Sequence, residues 1–271
     1  MEISGPLIYN TILTDFLNSK KGYLIGRMGN VEIGSIITNN ITDKLMNNAG
    51  FYYTSENTKI DEYNDWKDKY DKSIKNSDAI LHVFSCPSFQ ITMDYMTLNN
   101  IYRPILPYRE DCNFYLEILN YLTFKKNVKV GIVCYFKEDI DSQLENINKI
   151  NSDYLIKAEN IVTIKSYQSI NGNRPHSCFS ETLYTLQEDC LKSDIKYYFI
   201  ACGCYGMPLG DYLKKQNKNV IYVGGILQCL FGLIGKRWEN RENIKNRING
   251  YWKRPEKKPL NYENVENGCY W

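Results

Sequence analysis

The sequence has no strong charge of either sign and no long apolar run. Its 271 residues carry 33 Lys and Arg against 31 Asp and Glu, a formal net charge of +2. A nucleic-acid-binding protein usually shows a marked basic excess or stripe, so no nucleic acid is expected as a partner. No apolar run approaches the roughly 20 residues that span a bilayer, so we expect no membrane span. Residues 1–10 show no basic stretch followed by an apolar one, so we expect no signal peptide.

Several catalytic and metal-binding signatures are also missing. The chain has no G-x-S-x-G elbow, no P-loop and no H-E-x-x-H motif. Two histidines are too few for a His-rich zinc site, and Cys202 and Cys204 lack a second cysteine pair at zinc spacing. The nine cysteines are an odd number, and several lie in apolar segments, which is typical of reduced, buried thiols. We therefore expect a cytoplasmic protein without disulfides.

What the chain does contain is an alternation of short apolar segments with helical ones. Its composition, 43% apolar and 24% charged, is that of a globular protein. The predicted strands are residues 22–27, 78–84, 128–136, 160–167, 197–201 and 220–223. The predicted helices are residues 30–38, 113–124, 137–150, 177–191 with Ser177 as N-cap, 205–216 and 226–234.

This alternation predicts βαβ units and an α/β fold: a Rossmann-like parallel sheet with helices on both faces. Residues 1–235 are expected to form the catalytic domain. Residues 236–271 are rich in Trp, Tyr, Asn, Lys and Pro and lack a clean period. We expect them to pack on that domain as an extended arm, and most of their aromatic side chains to anchor the arm. Ligands of such sheets bind at the carboxyl ends of the strands.

The first candidate site follows the first predicted strand, in residues 27–32 (RMGNVE). Gly29 permits a tight turn, and Asn30 and Glu32 offer oxygen ligands suited to Mg²⁺ or Mn²⁺. Arg27 is suited to a bidentate contact with a phosphate. The same pattern also fits an ordinary helix start, with a first-turn Glu stabilised by the helix dipole.

The second candidate site comprises two glycine-containing turns at later strand ends. Gly203, Tyr205 and Gly206 follow one strand, at a spacing that suits a phosphate at a helix N-terminus or close helix–strand packing. No acidic residue ends the next strand, which disfavours binding of NAD or S-adenosylmethionine. That strand leads into Gly224 and Gly225.

Two basic residues and the two histidines complete the candidate set. Lys236 and Arg237 lie beyond the second glycine pair, where they suit either a departing phosphate or a helix end. His82 lies in an apolar strand and is expected in the core. His176 lies on a polar loop, and suits either a catalytic role or a helix entry.

Residues 27–32 resemble the R-F-G-D-G-E signature of GT-D-type glycosyltransferases, which carry an Asp-x-Glu motif on a Rossmann-like fold. Residues 203–209, 224–238 and 266–271 resemble a group of bacterial and viral proteins assigned to this fold. Residues 39–127 show little of the likeness. Glu32 matches the Glu of the motif, whereas Asn30 stands in the place of its Asp. The loss of that charge should weaken cation binding.

The resemblance implies transfer of a sugar from a nucleotide donor, expected to be a UDP-sugar, to a glycan or glycolipid acceptor. It also implies a Mn²⁺ or Mg²⁺ ion at Asn30 and Glu32; alternatively, Glu32 acts as general base. Two rivals are a nucleotide-sugar-binding or assembly protein without activity, and another nucleotide-dependent transferase such as a methyltransferase or dehydrogenase. The sequence leaves the oligomeric state open, a homo-oligomer included.

Overall fold

The computed structural model describes residues 5–82, 88–108 and 111–271. Seven parallel strands form one sheet in the order β3-β2-β1-β7-β6-β4-β5. The strands are β1 (Tyr23–Arg27), β2 (Ala79–His82), β3 (Ile105–Pro107), β4 (Val130–Cys134), β5 (Ile161–Lys165), β6 (Tyr197–Ala201) and β7 (Asn219–Tyr222). The predicted Rossmann-like parallel sheet is therefore confirmed.

Helices cover both faces of the sheet, as predicted. The α-helices before β7 are α1 (Gly5–Asn18), α2 (Asn30–Thr38), α3 (Lys59–Asn76), α4 (Ser88–Leu98), α5 (Cys112–Asn120), α6 (Lys137–Gln143), α7 (Ile147–Ile150), α8 (Phe179–Leu191) and α9 (Gly206–Lys215). Three single turns follow: α10 (Leu227–Leu230), α11 (Lys236–Glu239) and α12 (Glu242–Lys245). Within the described ranges, each helix is too short or too polar to cross a bilayer.

The inner strands bury side chains on both faces because successive residues point to opposite sides. In β6, Tyr197 and Phe199 pack with α1, α5 and α10, whereas Tyr198 and Ile200 pack with α3, α8 and α9. Two apolar cores therefore enclose the sheet. This double burial explains why the strands are continuous apolar segments instead of alternating ones.

The order of the strands determines where a cleft can open. From β4 the chain passes through α6 and α7 to the outer strand β5, whereas from β6 it passes through α9 to the inner strand β7. Strands β4 and β6 are neighbours, and the connections that follow them run in opposite directions along the sheet. Such a reversal leaves a crevice at the carboxyl ends of the two strands.

Two local predictions need correction. Cys178, not Ser177, caps α8: its Sγ accepts the backbone N–H of Glu181, whereas Ser177 donates its own N–H to the Glu181 carboxylate. The helix predicted over 226–234 is one turn, because Gly232 has a φ of +68° and the chain turns there. Strand β3 was not predicted. Residues 83–84 of the predicted second strand lie outside the described residues.

The segment after Gly235 packs on the rest of the chain. Trp238 and Ile244 are buried in the core that contains α5 and α10. Val265, Cys269 and Trp271 form a separate apolar cluster with Ile170.

Candidate functional site

A cleft of about 240 Å³ lies at the carboxyl ends of β1, β4, β5, β6 and β7. The turns after β1 and β6, far apart in the sequence, both contribute to it, and so does the C-terminal segment. Its lining includes Arg27, Gly29, Asn30, Glu32, Tyr135, Phe136, Tyr167, Ser169, Gly203, Tyr205, Gly224, Gly225, Gln228, Arg237, Glu266, Tyr270 and Trp271.

The turn after β1 carries a buried carboxylate. Gly29 precedes α2 in extended conformation, and its N–H donates to the hydroxyl of Tyr70 at 3.4 Å. Glu32, in the first turn of α2, is only 6% exposed and folds back over Gly29. Burial raises the pKa of Glu32 above its ordinary value, while the charge of Arg27 opposes the shift. The turn therefore holds a carboxylate with increased basicity at the cleft wall.

Arg27, the last residue of β1, presents a guanidinium next to this carboxylate. The guanidinium lies over the ring of Tyr108, with its Cζ 4.4 Å from the ring centroid. Its Nε is buried and has no hydrogen-bond partner among the described residues. Gly224, with a φ of +73°, lies against the same guanidinium: a Cβ on this glycine would stand 3.2 Å from the Cζ of Arg27. A half-buried guanidinium with an unsatisfied Nε in a cleft wall suits an anionic ligand.

The turn after β6 is packed closely against the π-helical turn Leu45–Ala49. Gly203 has a φ of +54°, and a Cβ there would lie 2.4 Å from the carbonyl oxygen of Ala49. Its own carbonyl accepts the hydroxyl of Tyr222 at 2.7 Å. Tyr205 stacks on Phe179 at 4.3 Å, and its hydroxyl shares a hydrogen bond with Ser169. These contacts fix the backbone of the turn at the cleft.

The C-terminal segment closes the cleft beside β7. Arg237 donates from Nη1 to the hydroxyl of Tyr270 at 3.0 Å and lies 3.8 Å from Oε2 of Glu266. The ring of Tyr270 packs against Gly225, where a Cβ would come within 2.7 Å of Cε1. A second guanidinium thus joins Arg27 in the lining.

The opposite part of the cleft, at the end of β4, is aromatic. Trp271 packs edge-on against Phe136 at 5.8 Å and Tyr135 at 6.4 Å. Its indole N–H donates to the carbonyl of Lys257 at 3.0 Å, which fixes the ring. The cleft therefore has a cationic end near β1 and β7 and an aromatic end near β4.

Nine of the twelve predicted site residues line this cleft together: Arg27, Gly29, Asn30, Glu32, Gly203, Tyr205, Gly224, Gly225 and Arg237. Three others lie elsewhere. Gly206 packs closely against strand β7: a Cβ on this glycine would stand 2.4 Å from the Cζ of Tyr222. Lys236 is exposed and donates to the carbonyl of Asn267. Nδ1 of His176 lies 2.9 Å from the hydroxyl of Thr182.

His176 is nevertheless close to the cleft wall. Its ring packs edge-on against Tyr167, a lining residue, with centroids 4.9 Å apart. The hydroxyl of Tyr167 donates to Asp189 at 2.9 Å. This arrangement supports the wall from behind. His82, the other histidine, is buried in β2 as expected.

Sequence reasoning missed the C-terminal part of the lining. Glu266, Tyr270 and Trp271 were not among the predicted site residues, because the aromatic residues of this segment were interpreted mainly as anchors. The closing motif in residues 266–271 was the available signal, since the resemblance includes it.

The predicted cation ligands form a small donor set. Asn30 is exposed and neutral, and Glu32 is buried beside the fixed positive charge of Arg27. In the described part of the chain, no group of three His, Cys, Asp or Glu side chains is placed to hold a metal ion. Two ligating side chains, one of them uncharged, beside a guanidinium do not fit a Mg²⁺ or Mn²⁺ ion held by the protein alone.

Comparison of the chain with protein-family models, with curated proteins and with solved structures gives no match.

Proposed function

We propose that this protein is a glycosyltransferase that moves a sugar from a nucleotide donor, with UDP as the nucleotide, to a glycan or glycolipid acceptor. One observation carries the proposal: the turns after β1 and β6 line a single cleft together with Arg27 and Arg237. Guanidinium groups bind phosphate oxygens, and glycine-containing turns let the backbone approach them closely; this cleft offers both features.

The diphosphate of the donor would lie at the cationic end. Arg27 and Arg237 would bind its oxygens and stabilise the negative charge that develops on the leaving UDP. Gly224 and Gly225 have no side chains that would obstruct this end. The predicted Mn²⁺ or Mg²⁺ stays a prediction, and the two arginines are proposed to supply the charge instead.

The nucleoside would lie toward the aromatic end. Tyr135 and Phe136 are partly exposed and pack beside the buried Trp271, and a planar base can pack against such rings. Because the diphosphate joins the nucleoside to the sugar, the ribose would lie between the two ends. The donor sugar would lie beyond the diphosphate, near the turn after β1.

Glu32 is proposed as the general base that removes the proton of the acceptor hydroxyl. Its raised pKa brings the carboxylate closer to the operating pH, which favours proton transfer. The proton passes to the Glu32 carboxylate, the acceptor oxygen bonds to the sugar carbon, and the bond to UDP breaks. The charge of Arg27 lowers the pKa of Glu32 and so favours the ionised form that a general base requires.

The test measures release of UDP from UDP-sugars by the purified protein, with and without an acceptor glycan. We expect wild type to release UDP in EDTA as well as in Mn²⁺. Glu32→Gln should lower turnover by about 100-fold or more, the usual contribution of a general base. Glu145→Gln is the matched control, because Glu145 is exposed and does not line the cleft. The proposal fails if wild type neither binds nor turns over any nucleotide sugar.

A second candidate is a protein that binds nucleotide sugars without turnover. The neutral Asn30, in the place of an acid, favours this alternative. Binding of UDP by wild type, with no release of UDP from any UDP-sugar, would support it. A methyltransferase or dehydrogenase is disfavoured, because β7 ends in Tyr222 and leads to Val223 and two glycines, with no carboxylate for a ribose.

A further inference from the structure

Tyr270 is held rigidly in the cleft wall by contacts to its backbone. The carbonyl of Tyr270 accepts a hydrogen bond from Nε2 of Gln228 at 3.2 Å, and Gln228 is only 2% exposed. The preceding carbonyl, of Cys269, accepts the N–H of Arg237 at 2.8 Å. Gly235 lies against the backbone of Tyr270: a Cβ on this glycine would stand 2.5 Å from the carbonyl carbon of Tyr270. The residue is therefore positioned by neighbours on both sides.

The side chain of Tyr270 is equally constrained. Its ring lies on Gly225, and its hydroxyl accepts the hydrogen bond from Nη1 of Arg237. Because this bond uses an oxygen lone pair, the phenolic hydrogen remains available to a second partner. Burial raises the pKa of Tyr270 to about 12, so the hydroxyl keeps its proton at neutral pH.

Two guanidinium groups and one carboxylate act on Tyr270, namely those of Arg237, Arg27 and Glu266. The charges of Arg237 and Arg27 both act on Tyr270 and oppose the effect of burial on its pKa. The buried Nε of Arg27 has no partner among the described residues. Both guanidinium groups and the phenol line the same cleft. Such a group of hydrogen-bond donors is complementary to an anion with several oxygens.

We propose that Tyr270 is a phosphate-binding residue whose hydroxyl donates a hydrogen bond to a diphosphate oxygen of the donor nucleotide, alongside Arg27 and Arg237. This inference rests on the proposed function. Tyr270 would act as a bridge: it accepts from Arg237 and donates to the phosphate, and so couples the orientation of the guanidinium to the bound ligand. Hydrogen bonds linked in series, from Arg237 through Tyr270 to the phosphate, polarise one another, and each becomes stronger.

The experiment measures the affinities of Tyr270→Phe and wild type for UDP, inorganic pyrophosphate and uridine by isothermal titration calorimetry. The ring is retained, so its packing on Gly225 should persist. We expect the affinities for UDP and pyrophosphate to fall about 10-fold, the value of one charge-assisted hydrogen bond. The affinity for uridine should be unchanged. The difference among ligands separates a phosphate contact from a general loss of folded protein.

Tyr262→Phe is the matched control, because Tyr262 lies in the same segment and packs on Trp271 but does not line the cleft. It should bind all three ligands as wild type does.

Each outcome of the titrations has a definite meaning. Wild-type affinity of Tyr270→Phe for UDP and pyrophosphate would overturn the inference and leave the proposed function intact. An equal loss for uridine would also overturn it, since the residue would then support the cleft in general. If wild type binds none of the three ligands, the inference and the proposed function both fail. If wild type binds UDP but never turns over a UDP-sugar, the transferase proposal alone fails.

Discussion

The carboxylate of Glu32 lies directly on the Cα of Gly29, so that a Cβ at residue 29 would stand 2.1 Å from Oε2. No real Cβ approaches an oxygen so closely. A side chain at residue 29 must therefore displace the carboxylate from its position at the cleft wall.

Gly29→Ala should accordingly reduce turnover without unfolding the protein. The conflict is with the end of a flexible side chain, so Glu32 can rotate away, but its carboxylate then no longer faces the acceptor. We expect a loss of about 10- to 100-fold in kcat, part of the contribution of a general base. Measurement of kcat and of the melting temperature for the purified variant tests this.

The control for this substitution is Gly34→Ala in the same helix. A Cβ at Gly34 meets nothing within 4 Å. Alanine in the interior of a helix should raise the free energy of unfolding by about 0.5–1 kcal/mol, with kcat unchanged. Equal kcat losses in both variants would show that the conformation of α2, not the position of Glu32, determines activity.

The raised pKa of Glu32 predicts a specific dependence of stability on pH. Burial moves the pKa above its ordinary value of 4.5. Between that value and the raised one, the folded protein holds a proton that the unfolded chain has released. Stability therefore decreases as pH rises through this window and levels off above it, with a slope of at most about 1.4 kcal/mol per pH unit.

Urea unfolding of wild type and Glu32→Gln from about pH 4 to about pH 8 isolates this effect. The difference in unfolding free energy between the two proteins cancels the contributions of other carboxylates. The free energy of unfolding of wild type should therefore fall relative to that of the variant as pH rises. A difference that stays constant across the range, or changes in favour of wild type, would contradict a raised pKa.

Local pattern was sufficient for the central elements of the fold. Helix α2 (Asn30–Thr38) and strand β6 (Tyr197–Ala201) have the predicted bounds, because each combines a clear apolar pattern with an adjacent glycine turn. Strand β3 (Ile105–Pro107) could not be predicted in the same way. It has three residues, one of them proline, and it forms only by pairing with β2 at the edge of the sheet.

The cleft was predictable only in part, for a related reason. The topology of parallel strands brings the turns after β1 and β6 to one edge of the sheet, so Glu32 and Gly203 could be expected together. The contact of Tyr270 with Gly225 depends on how an irregular segment packs after the sheet has formed. No periodicity in that segment specifies which aromatic side chains face the cleft and which only anchor it.

Substitution of Arg27 should distinguish a planar guanidinium from a simple positive charge. Arg27→Lys keeps the charge but loses the fork of donors and the packing over Tyr108. We expect the affinity for UDP to fall about 10-fold, as for loss of a charged hydrogen bond. The measurement is calorimetric titration with UDP.

Arg103→Lys serves as the control, because Arg103 is exposed and donates to the carbonyl of Lys75 away from the cleft. It should bind UDP as wild type does. Unchanged UDP affinity in Arg27→Lys would show that charge alone is required at residue 27, or that the diphosphate lies elsewhere in the cleft.

Gly203 and Gly172 allow backbone strain to be separated from a steric conflict. Both have positive φ, +54° and +79°, but a Cβ at Gly172 meets nothing within 4 Å, whereas one at Gly203 stands 2.4 Å from the Ala49 carbonyl oxygen. Alanine in this conformation costs roughly 1–2 kcal/mol. Gly172→Ala should therefore lose about 1 kcal/mol of unfolding free energy in urea. Gly203→Ala should lose more, about 3 kcal/mol, because a backbone carbonyl must also move.

The two alanine variants should also differ in ligand binding. Movement of the Ala49 carbonyl would shift the turn after β6, so Gly203→Ala should bind UDP more weakly even where it is folded, whereas Gly172→Ala should not. If both variants lose the same free energy and bind UDP equally, the close contact between residues 203 and 49 contributes nothing beyond conformational strain. The turn after β6 would then be free to adjust, and a preorganised diphosphate site could not depend on it.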